Sequence, residues 1–176
     1  RLEAELKRLA THDQLTGIYN RTKLYELMKV AYDEHERYGT PVSVVMFDID
    51  HFKAINDRFG HGAGDAALIE LCRRVHRDLR DTDHFGRWGG EEFLVLASHT
   101  DGMGAQELGE RVRSAVARAP FEATGQVTVS VGVAELRAGE TLEALEERVD
   151  QALYEAKERG RNRVMFATEA HGPAKG

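Results

Sequence analysis

The chain has 176 residues, of which 41% are hydrophobic and 31% are charged, so it is long enough for one domain with a full hydrophobic core. Its formal net charge of −6 argues against a nucleic-acid partner, because binding to phosphate backbones requires a basic face. Cys72 is the single cysteine, which excludes a disulfide framework or a cysteine-rich zinc site within one chain. We find no run of about 18 apolar residues and no signal peptide. We therefore expect a cytoplasmic domain, with any membrane anchor of the full-length protein in another segment.

Leucines at helical spacing mark the start of the chain, at Leu2, Leu6 and Leu9. This stripe is too short to form a stable helix by itself. It is either a frayed N-terminal helix or the end of a coiled-coil linker from an upstream domain. We predict three segments, in order the end of a linker helix, the folded domain and a disordered tail: residues 1–11, 12–168 and 169–176.

Hydrophobic patterns predict the elements of the first half of the chain. Apolar residues at helical spacing indicate a helix over Arg21–Tyr38, which Gly39 and Pro41 end. Val42–Phe47 is almost continuously apolar, which is typical of a central strand buried on both faces. A short helix, a glycine-rich turn and a second core helix are predicted next, at Phe52–Phe59, Gly60–Asp65 and Ala66–Leu79.

The second half begins with a predicted β-hairpin, whose two strands flank a Gly-Gly-Glu-Glu tip. Later elements are a helix, a strand, a long helix and a short strand, at Ala105–Ala117, Val127–Ala134, Leu142–Glu158 and Val164–Ala167. A hairpin in the middle breaks the regular alternation of strands and helices that a doubly wound fold requires. We therefore predict an α+β fold with one mixed central β-sheet flanked by helices.

The hairpin tip, Gly89-Gly90-Glu91-Glu92, has a composition that hairpin formation does not require. Glycines permit positive φ angles and the close approach of a ligand to the backbone. Adjacent carboxylates add charge that no core neutralises, although a solvated turn is the alternative for Glu91. The combination predicts binding of a divalent cation and a phosphate chain.

Asp48 and Asp50 end the predicted central strand and share one of its faces, whereas Ile49 points to the other. If the hairpin neighbours this strand, Asp48 and one glutamate converge. Like charges about 4 Å apart repel by roughly 4 kcal/mol at an effective dielectric constant near 20, so such a cluster requires a cation. Oxygen ligands without His or Cys favour Mg²⁺ or Mn²⁺ over zinc. A simple strand-end cap is the alternative for Asp48.

Other polar residues offer complementary chemistry. Lys157 and Arg161 lie four residues apart at a helix end, where they either complement the helix dipole or bind phosphates. Asn56 and Asp65 offer the donor and acceptors that a guanine edge requires. His61, judged alone, is more typical of a turn residue.

Several long motifs in sequence order resemble those of the GGDEF domain, the diguanylate cyclase family, from His12 to Val164. The matching motifs are His12–Arg21, Asp48–Lys53, Asn56-Asp57, Phe59–His61, Gly64-Asp65, Gly89–Phe93, and the closing set Tyr154, Ala156, Lys157, Gly160, Arg161 and Asn162. Glu91 stands where the family name has Asp, and this longer side chain still reaches a metal.

The resemblance implies a fold like the palm of nucleotidyl cyclases and polymerases, with a ferredoxin-like core. It implies condensation of two GTP molecules into cyclic di-GMP with release of two pyrophosphates. Mg²⁺ or Mn²⁺, two ions per active site, would bind Asp48, the carbonyl of Ile49 and Glu91. Catalytic roles are implied for Lys53, Glu91 and Glu92. The implied substrate-binding residues are Phe52, Asn56, His61, Asp65, Gly89, Lys157 and Arg161.

An Arg-x-x-Asp pattern, Arg80 to Asp83, resembles the product-inhibition site of the family, with Arg111 as a second arginine. A chance occurrence in a charged loop is the alternative. Because one domain offers one GTP site, symmetric formation of two bonds implies a homodimer with antiparallel active sites. An upstream sensor or regulatory domain is also expected.

Two other functions are compatible with such motifs. One is a non-catalytic module that binds GTP or cyclic di-GMP. Such a module would have a damaged signature loop, Gly89–Phe93, and this loop is intact. The other is a different metal-dependent nucleotidyl transferase or cyclase, on fold analogy. The chemical product formed from GTP distinguishes a cyclase from a module that only binds. Guanine preference distinguishes a diguanylate cyclase from another nucleotidyl transferase or cyclase.

Overall fold

The structure, a computed structural model, describes residues 1–168 as helices packed on both faces of one β-sheet. The helices are α1 (Leu2–Thr11), α2 (Arg21–Tyr38), α3 (Phe52–Phe59), α4 (His61–Arg77), α5 (Gly102–Ala117) and α6 (Leu142–Glu158). The strands are β1 (Val42–Ile49), β2 (Asp83–Arg87), β3 (Glu92–Ser98), β4 (Val129–Glu135) and β5 (Val164–Phe166). The predicted disordered tail, residues 169–176, lies outside the described residues.

The sheet has five strands in the order β2-β3-β1-β4-β5. Strand β1 lies at the centre and pairs antiparallel with both β3 and β4, whereas β4 and β5 pair in parallel. Every residue of β1 is buried, which explains its almost continuous apolar run. The mixed sheet and α+β class predicted from the sequence are confirmed.

Alternation along β1 divides the core into two halves. Val45, Phe47 and Ile49 pack in the half that contains α4 and α5. Val44 and Met46 pack in the half that contains α2 and α6. Because side chains alternate along a strand, Asp48 lies on the same face as Met46 and points towards α6 at the end of β1.

The predicted glycine-rich turn over residues 60–65 is wrong, because α4 already begins at His61. The turn between α3 and α4 is confined to Gly60, which has a φ of +89°. Gly64 instead lies inside the helix, where a Cβ atom would come within 1.8 Å of Asn56 Oδ1. This glycine therefore allows α4 to approach α3 closely.

The connector after α1 lies along the edge of the sheet beside β2. Tyr19 N donates to Phe85 O at 3.2 Å, and Arg87 N donates to Tyr19 O at 2.9 Å. Helix α1 itself buries no residue, and its three leucines remain 51–70% exposed. None of the helices within residues 1–168 combines the length and hydropathy that a membrane crossing requires.

Candidate functional site

The candidate site lies where β1 ends beside the signature hairpin, which is formed by β2, β3 and the loop between them. Asp48 pairs in register with Glu92, the first residue of β3. Directly opposed residues of an antiparallel pair lie on the same face of the sheet. Asp48 and Glu92 therefore share one face of the sheet, while Glu91 lies in the loop, and the charges of both glutamates act on Asp48.

Asp48 is a buried carboxylate with only part of its hydrogen-bonding capacity used. It is 6% exposed, and Lys157 Nζ of α6 forms an ion pair with its Oδ2 atom. Its Oδ1 atom is buried and has no hydrogen-bond partner within residues 1–168. Burial raises the pKa of Asp48 to about 6, Lys157 lowers it, and the charges of Glu91 and Glu92 raise it.

A hard divalent cation fits this carboxylate. The free Oδ1 atom offers an oxygen ligand of the kind that Mg²⁺ and Mn²⁺ prefer, and the charges of Glu91 and Glu92 act on the same carboxylate. No group of three or more His, Cys, Asp or Glu side chains suited to a metal occurs within the described part of the chain. The expected ligand set contains only two side chains, Asp48 and Glu91, and its third ligand is the backbone carbonyl oxygen of Ile49.

The signature loop is held by an arginine that the sequence analysis did not identify. Arg87 donates to the carbonyl oxygen of Gly90 through Nε at 2.9 Å and through Nη2 at 2.7 Å. Its Nη1 atom pairs with Asp13 at 3.2 Å. Burial opposes ionisation of Asp13, but Thr16 and Arg87 hold its pKa below the usual value. The two partners lie 74 residues apart, so sequence spacing offers no signal for this pair.

The residues predicted to bind guanine meet at the junction of α3 and α4. Asn56 is half-buried, and its Oδ1 atom has no hydrogen-bond partner among the described residues. A Cβ atom on Gly64 would lie 1.8 Å from Asn56 Oδ1 and 3.4 Å from Phe52 Cζ. Asp65, next to Gly64, is exposed, as is His61 in the first turn of α4. The amide oxygen of Asn56 is therefore a buried acceptor that a ligand N–H group could use.

The predicted phosphate-binding cations are distributed over two helices. Lys53 lies in the first turn of α3 and is exposed, whereas Lys157 is engaged with Asp48. Arg161 follows α6, where its amide N–H donates to Ala156 O at 2.9 Å. Gly160 N donates to Lys157 O at 3.3 Å, which completes a Schellman motif at the helix end.

Asp50 shares the face of Asp48 but has a different environment. It is 7% exposed and accepts hydrogen bonds from Thr128, Ser130 and the backbone of Asn162. The alternation of the sequence predicts Asp50 on the face of Asp48 but indicates no role for it; in the structure it directly follows β1. Its partners lie far away along the chain, so only the fold identifies them.

The predicted inhibitory residues lie on the surface. Arg80 is exposed, and its backbone N–H donates to Asp83 Oδ2 at 2.9 Å, so the carboxylate closes the turn before β2. Arg111 is exposed on α5. Within residues 1–168 no hydrogen bond or ion pair joins Arg111 to Arg80 or Asp83.

Curated relatives share this sequence over most of its length. The chain is 40% identical over 167 residues to the diguanylate cyclase DgcM of Escherichia coli K12, covering 95% of this chain and 41% of that protein. It is 42% identical over 161 residues to the diguanylate cyclase DgcP of Pseudomonas aeruginosa, covering 90% of this chain and 24% of that protein. The chain thus spans less than half the length of these two relatives.

Solved structures share the fold. The coiled coil and GGDEF domain of DgcB from Caulobacter crescentus in complex with c-di-GMP has a TM-score of 0.89, 32% identity, and coverage of 94% of this chain and 90% of that chain. The active GGEEF domain of a diguanylate cyclase from Vibrio cholerae has a TM-score of 0.81, 37% identity, and coverage of 86% and 98%. The palm-like fold predicted from the sequence is confirmed. Residues 10–163 match the family described as "Diguanylate cyclase, GGDEF domain", so the chain belongs to the GGDEF domain family of diguanylate cyclases.

Proposed function

We propose that this domain condenses two GTP molecules into cyclic di-GMP and releases two pyrophosphates. The observation that carries this proposal is the buried, unpartnered Oδ1 atom of Asp48 opposite the signature hairpin. A buried carboxylate oxygen without a donor is costly unless a ligand uses it. Family membership supports nucleotide chemistry at this position.

Mg²⁺ or Mn²⁺ would be held by Asp48, the carbonyl of Ile49 and Glu91, and we expect two ions per active site. Bound there, the metal supplies a lower pKa for the attacking hydroxyl and neutralises charge on the leaving group. Glu92, opposite Asp48, contributes a further negative charge that favours a cation at this strand end.

The remaining residues bind and orient the nucleotide. Asn56 and Asp65 read the guanine edge, flanked by Phe52 and His61. Gly89 lets the phosphate chain approach the backbone. The phosphates then meet three cations, Lys53, Lys157 and Arg161, of which Lys53 stabilises charge that develops in the transition state.

Each half-reaction joins the 3′-hydroxyl of one GTP to the α-phosphorus of the other. The α–β phosphoanhydride bond breaks, pyrophosphate leaves and the hydroxyl proton passes to solvent. Because one domain binds one GTP, two domains must face each other with their active sites antiparallel. The exposed leucines of α1 are suited to align such a homodimer, and an upstream regulatory domain would act through this helix. GTP as substrate also implies a cytoplasmic location for this domain.

Product feedback would use a second surface. We assign cyclic di-GMP binding to Arg80 and Asp83, with Arg111 as a further cation. Substitution Arg80→Ala should raise the concentration of cyclic di-GMP that halves the initial rate by about tenfold or more, because a charged hydrogen-bond partner of the ligand is lost. The rate without added product should stay within twofold. An unchanged inhibition curve would remove Arg80 from this role.

The activity itself is tested by incubating the chain with GTP and Mg²⁺ and separating the products by chromatography. We expect cyclic di-GMP, with specific activity that rises with protein concentration because two domains must meet. Glu91→Gln is the matched control, since it removes one carboxylate charge and preserves side-chain size. Efficient turnover of ATP, a mononucleotide product, or wild-type rates from Glu91→Gln would contradict the proposal.

A further inference from the structure

The turn that follows α6 has an unusual backbone. Gly160, Arg161 and Asn162 have φ angles of +118°, +65° and +45°, so three consecutive residues lie in the left-handed region. Glycine adopts this region freely and asparagine does so more readily than most residues, but Arg161 does so at a cost in free energy. Such a conformation persists only where surrounding contacts hold it in place.

Those contacts come from different parts of the fold. The Schellman motif at the end of α6 holds the amide of Arg161, through Ala156. The backbone N–H of Asn162 donates to Asp50 Oδ2 at 3.0 Å. The side chain of Asn162 accepts a hydrogen bond from Arg113 Nη1 of α5 at 2.9 Å, near the surface. Arg163 Nε also donates to Arg161 O at 3.1 Å, and Val131 N donates to Arg163 O at 2.9 Å, so Asp50 is the buried side chain among several contacts of the turn.

Asp50 is itself fixed firmly to the sheet. Its Oδ1 atom accepts from Ser130 Oγ at 2.6 Å, and its Oδ2 atom accepts from Thr128 Oγ1 at 2.7 Å. Asp50 N donates to Thr128 O at 2.9 Å, so the backbone of Asp50 bonds the residue before β4 and its side chain bonds both that residue and β4 itself. A carboxylate with this many donors is a rigid connection between the centre of the sheet and the turn after α6.

We propose that Asp50 is a positioning residue, which holds the left-handed turn Gly160–Asn162 against the sheet and thereby directs Arg161 at the substrate phosphates. The proposal rests on the proposed function, because that function assigns Arg161 to the phosphates. Arg161 lies between the helix-end hydrogen bond on its own amide and the Asp50 hydrogen bond on the next amide. Loss of the second bond frees the turn to leave the strained conformation, and Arg161 moves with it.

This role differs from that of a metal ligand in one chemical respect. A positioning carboxylate needs only an oxygen that accepts the Asn162 N–H bond, and the amide of asparagine supplies one. In Asp50→Asn the amide nitrogen can donate to Ser130 Oγ, since a hydroxyl both donates and accepts. Asparagine should therefore rescue a function that alanine destroys.

The test measures affinity of the 176-residue chain for a GTP analogue with a methylene bridge between the α- and β-phosphates, by calorimetry with Mg²⁺. Asp50→Ala should weaken binding by roughly 10- to 100-fold, as should Arg161→Ala, because one charged phosphate contact is lost in each. The double variant should bind within about twofold of Arg161→Ala, since interacting residues are not additive. Asp50→Asn should recover affinity to within about threefold of the wild type.

Two further measurements separate positioning from a general loss of structure. Thr128→Val removes another hydrogen bond to Asp50 but leaves the turn connected, so analogue affinity should stay within about twofold. The amide hydrogen of Asn162 should exchange faster in Asp50→Ala than in the wild type. If Asp50→Ala does not fold, Asp50→Ser replaces it, because a serine hydroxyl bonds Ser130 but is too short to hold Asn162.

Wild-type affinity in Asp50→Ala, multiplicative losses in the double variant, or failure of asparagine to rescue would each overturn the proposal. Product chromatography of the wild type in the same series tests the proposed function separately. A chain that makes no cyclic di-GMP but follows the predicted binding pattern would refute the function and retain the role of Asp50.

Discussion

Asp48 and Asp50 are two buried aspartates at the end of one strand, and the fold treats them in opposite ways. Asp50 accepts three hydrogen bonds, from two hydroxyl groups and one backbone amide. Asp48 has one ion-pair partner, Lys157, and one buried oxygen without any partner within residues 1–168. They lie on the same face of the strand and are exposed to a similar extent, 6% and 7%.

Asp50 is a structural carboxylate, whereas Asp48 remains available to a ligand. Donors from its own chain stabilise the charge of Asp50, so the fold needs nothing further at that position. At Asp48 the pKa is raised to about 6, because burial and the charges of two neighbouring glutamates together outweigh the lowering by Lys157. A protein keeps such an unfavourable charge where binding repays it. Burial alone therefore does not identify the functional residue, whereas the count of satisfied oxygens does.

The largest expected effect comes from replacing each aspartate by asparagine. Asp48→Asn should lower the initial rate of pyrophosphate release from GTP by about 100- to 1000-fold or more, because the carboxylate that would hold the divalent cation is lost. Asp50→Asn should keep the rate within about fivefold of the wild type, because its hydrogen bonds survive. Equal losses in the two variants would show that the two carboxylates do not differ in this way.

A smaller effect is expected on stability when Asp50 is truncated. Asp50→Ala should lower the free energy of unfolding by about 2–4 kcal/mol, because it leaves the donors of Thr128, Ser130 and Asn162 unsatisfied. Urea denaturation followed by circular dichroism measures this change. Thr128→Val is the control and should cost about 1 kcal/mol, since it removes one bond of the set. A loss below the control value would mean that water replaces these bonds.

Replacement of Asp48 should increase stability, whereas replacement of Asp50 by alanine should decrease it. Its pKa rises from 3.8 to about 6 on folding, so the folded state binds the proton more tightly than the unfolded state. Stability therefore falls as pH rises from about 4 to about 6 and stays lower above that range. Asp48→Asn, which has no such charge, should raise the free energy of unfolding near pH 8 by about 1–3 kcal/mol, measured with EDTA present.

The pH dependence of this gain provides its own control. Below about pH 3 the carboxyl of Asp48 is largely protonated in both the folded and the unfolded state, so wild type and Asp48→Asn should differ by less than about 0.5 kcal/mol. A gain that persists at low pH would arise from packing rather than from charge. A loss at pH 8 would show that the ion pair with Lys157 outweighs the cost of burial.

Much of this protein follows from local patterns. The helices at Arg21–Tyr38 and Leu142–Glu158 agree with the sequence prediction at both ends, because their apolar stripes and capping residues are local signals. The central strand followed from its valine-rich run. The turn predicted at residues 60–65 was wrong because glycine occurs both in turns and at close contacts between helices. Only the packing of Gly64 on Asn56 distinguishes the two cases.

The sequence alone determined the family, the fold class and the placement of Asp48 and Asp50 on one strand face, since motif order and alternation depend on neighbours along the chain. Tertiary structure alone decided which aspartate is satisfied, because the donors to Asp50 lie 78, 80 and 112 residues away. It likewise decided that Glu92 opposes Asp48 and that Arg87, paired with Asp13, holds the carbonyl of Gly90 in the signature loop. Hydrogen bonds and charges act over a few ångströms in space, and strand register and helix packing bring these distant residues together.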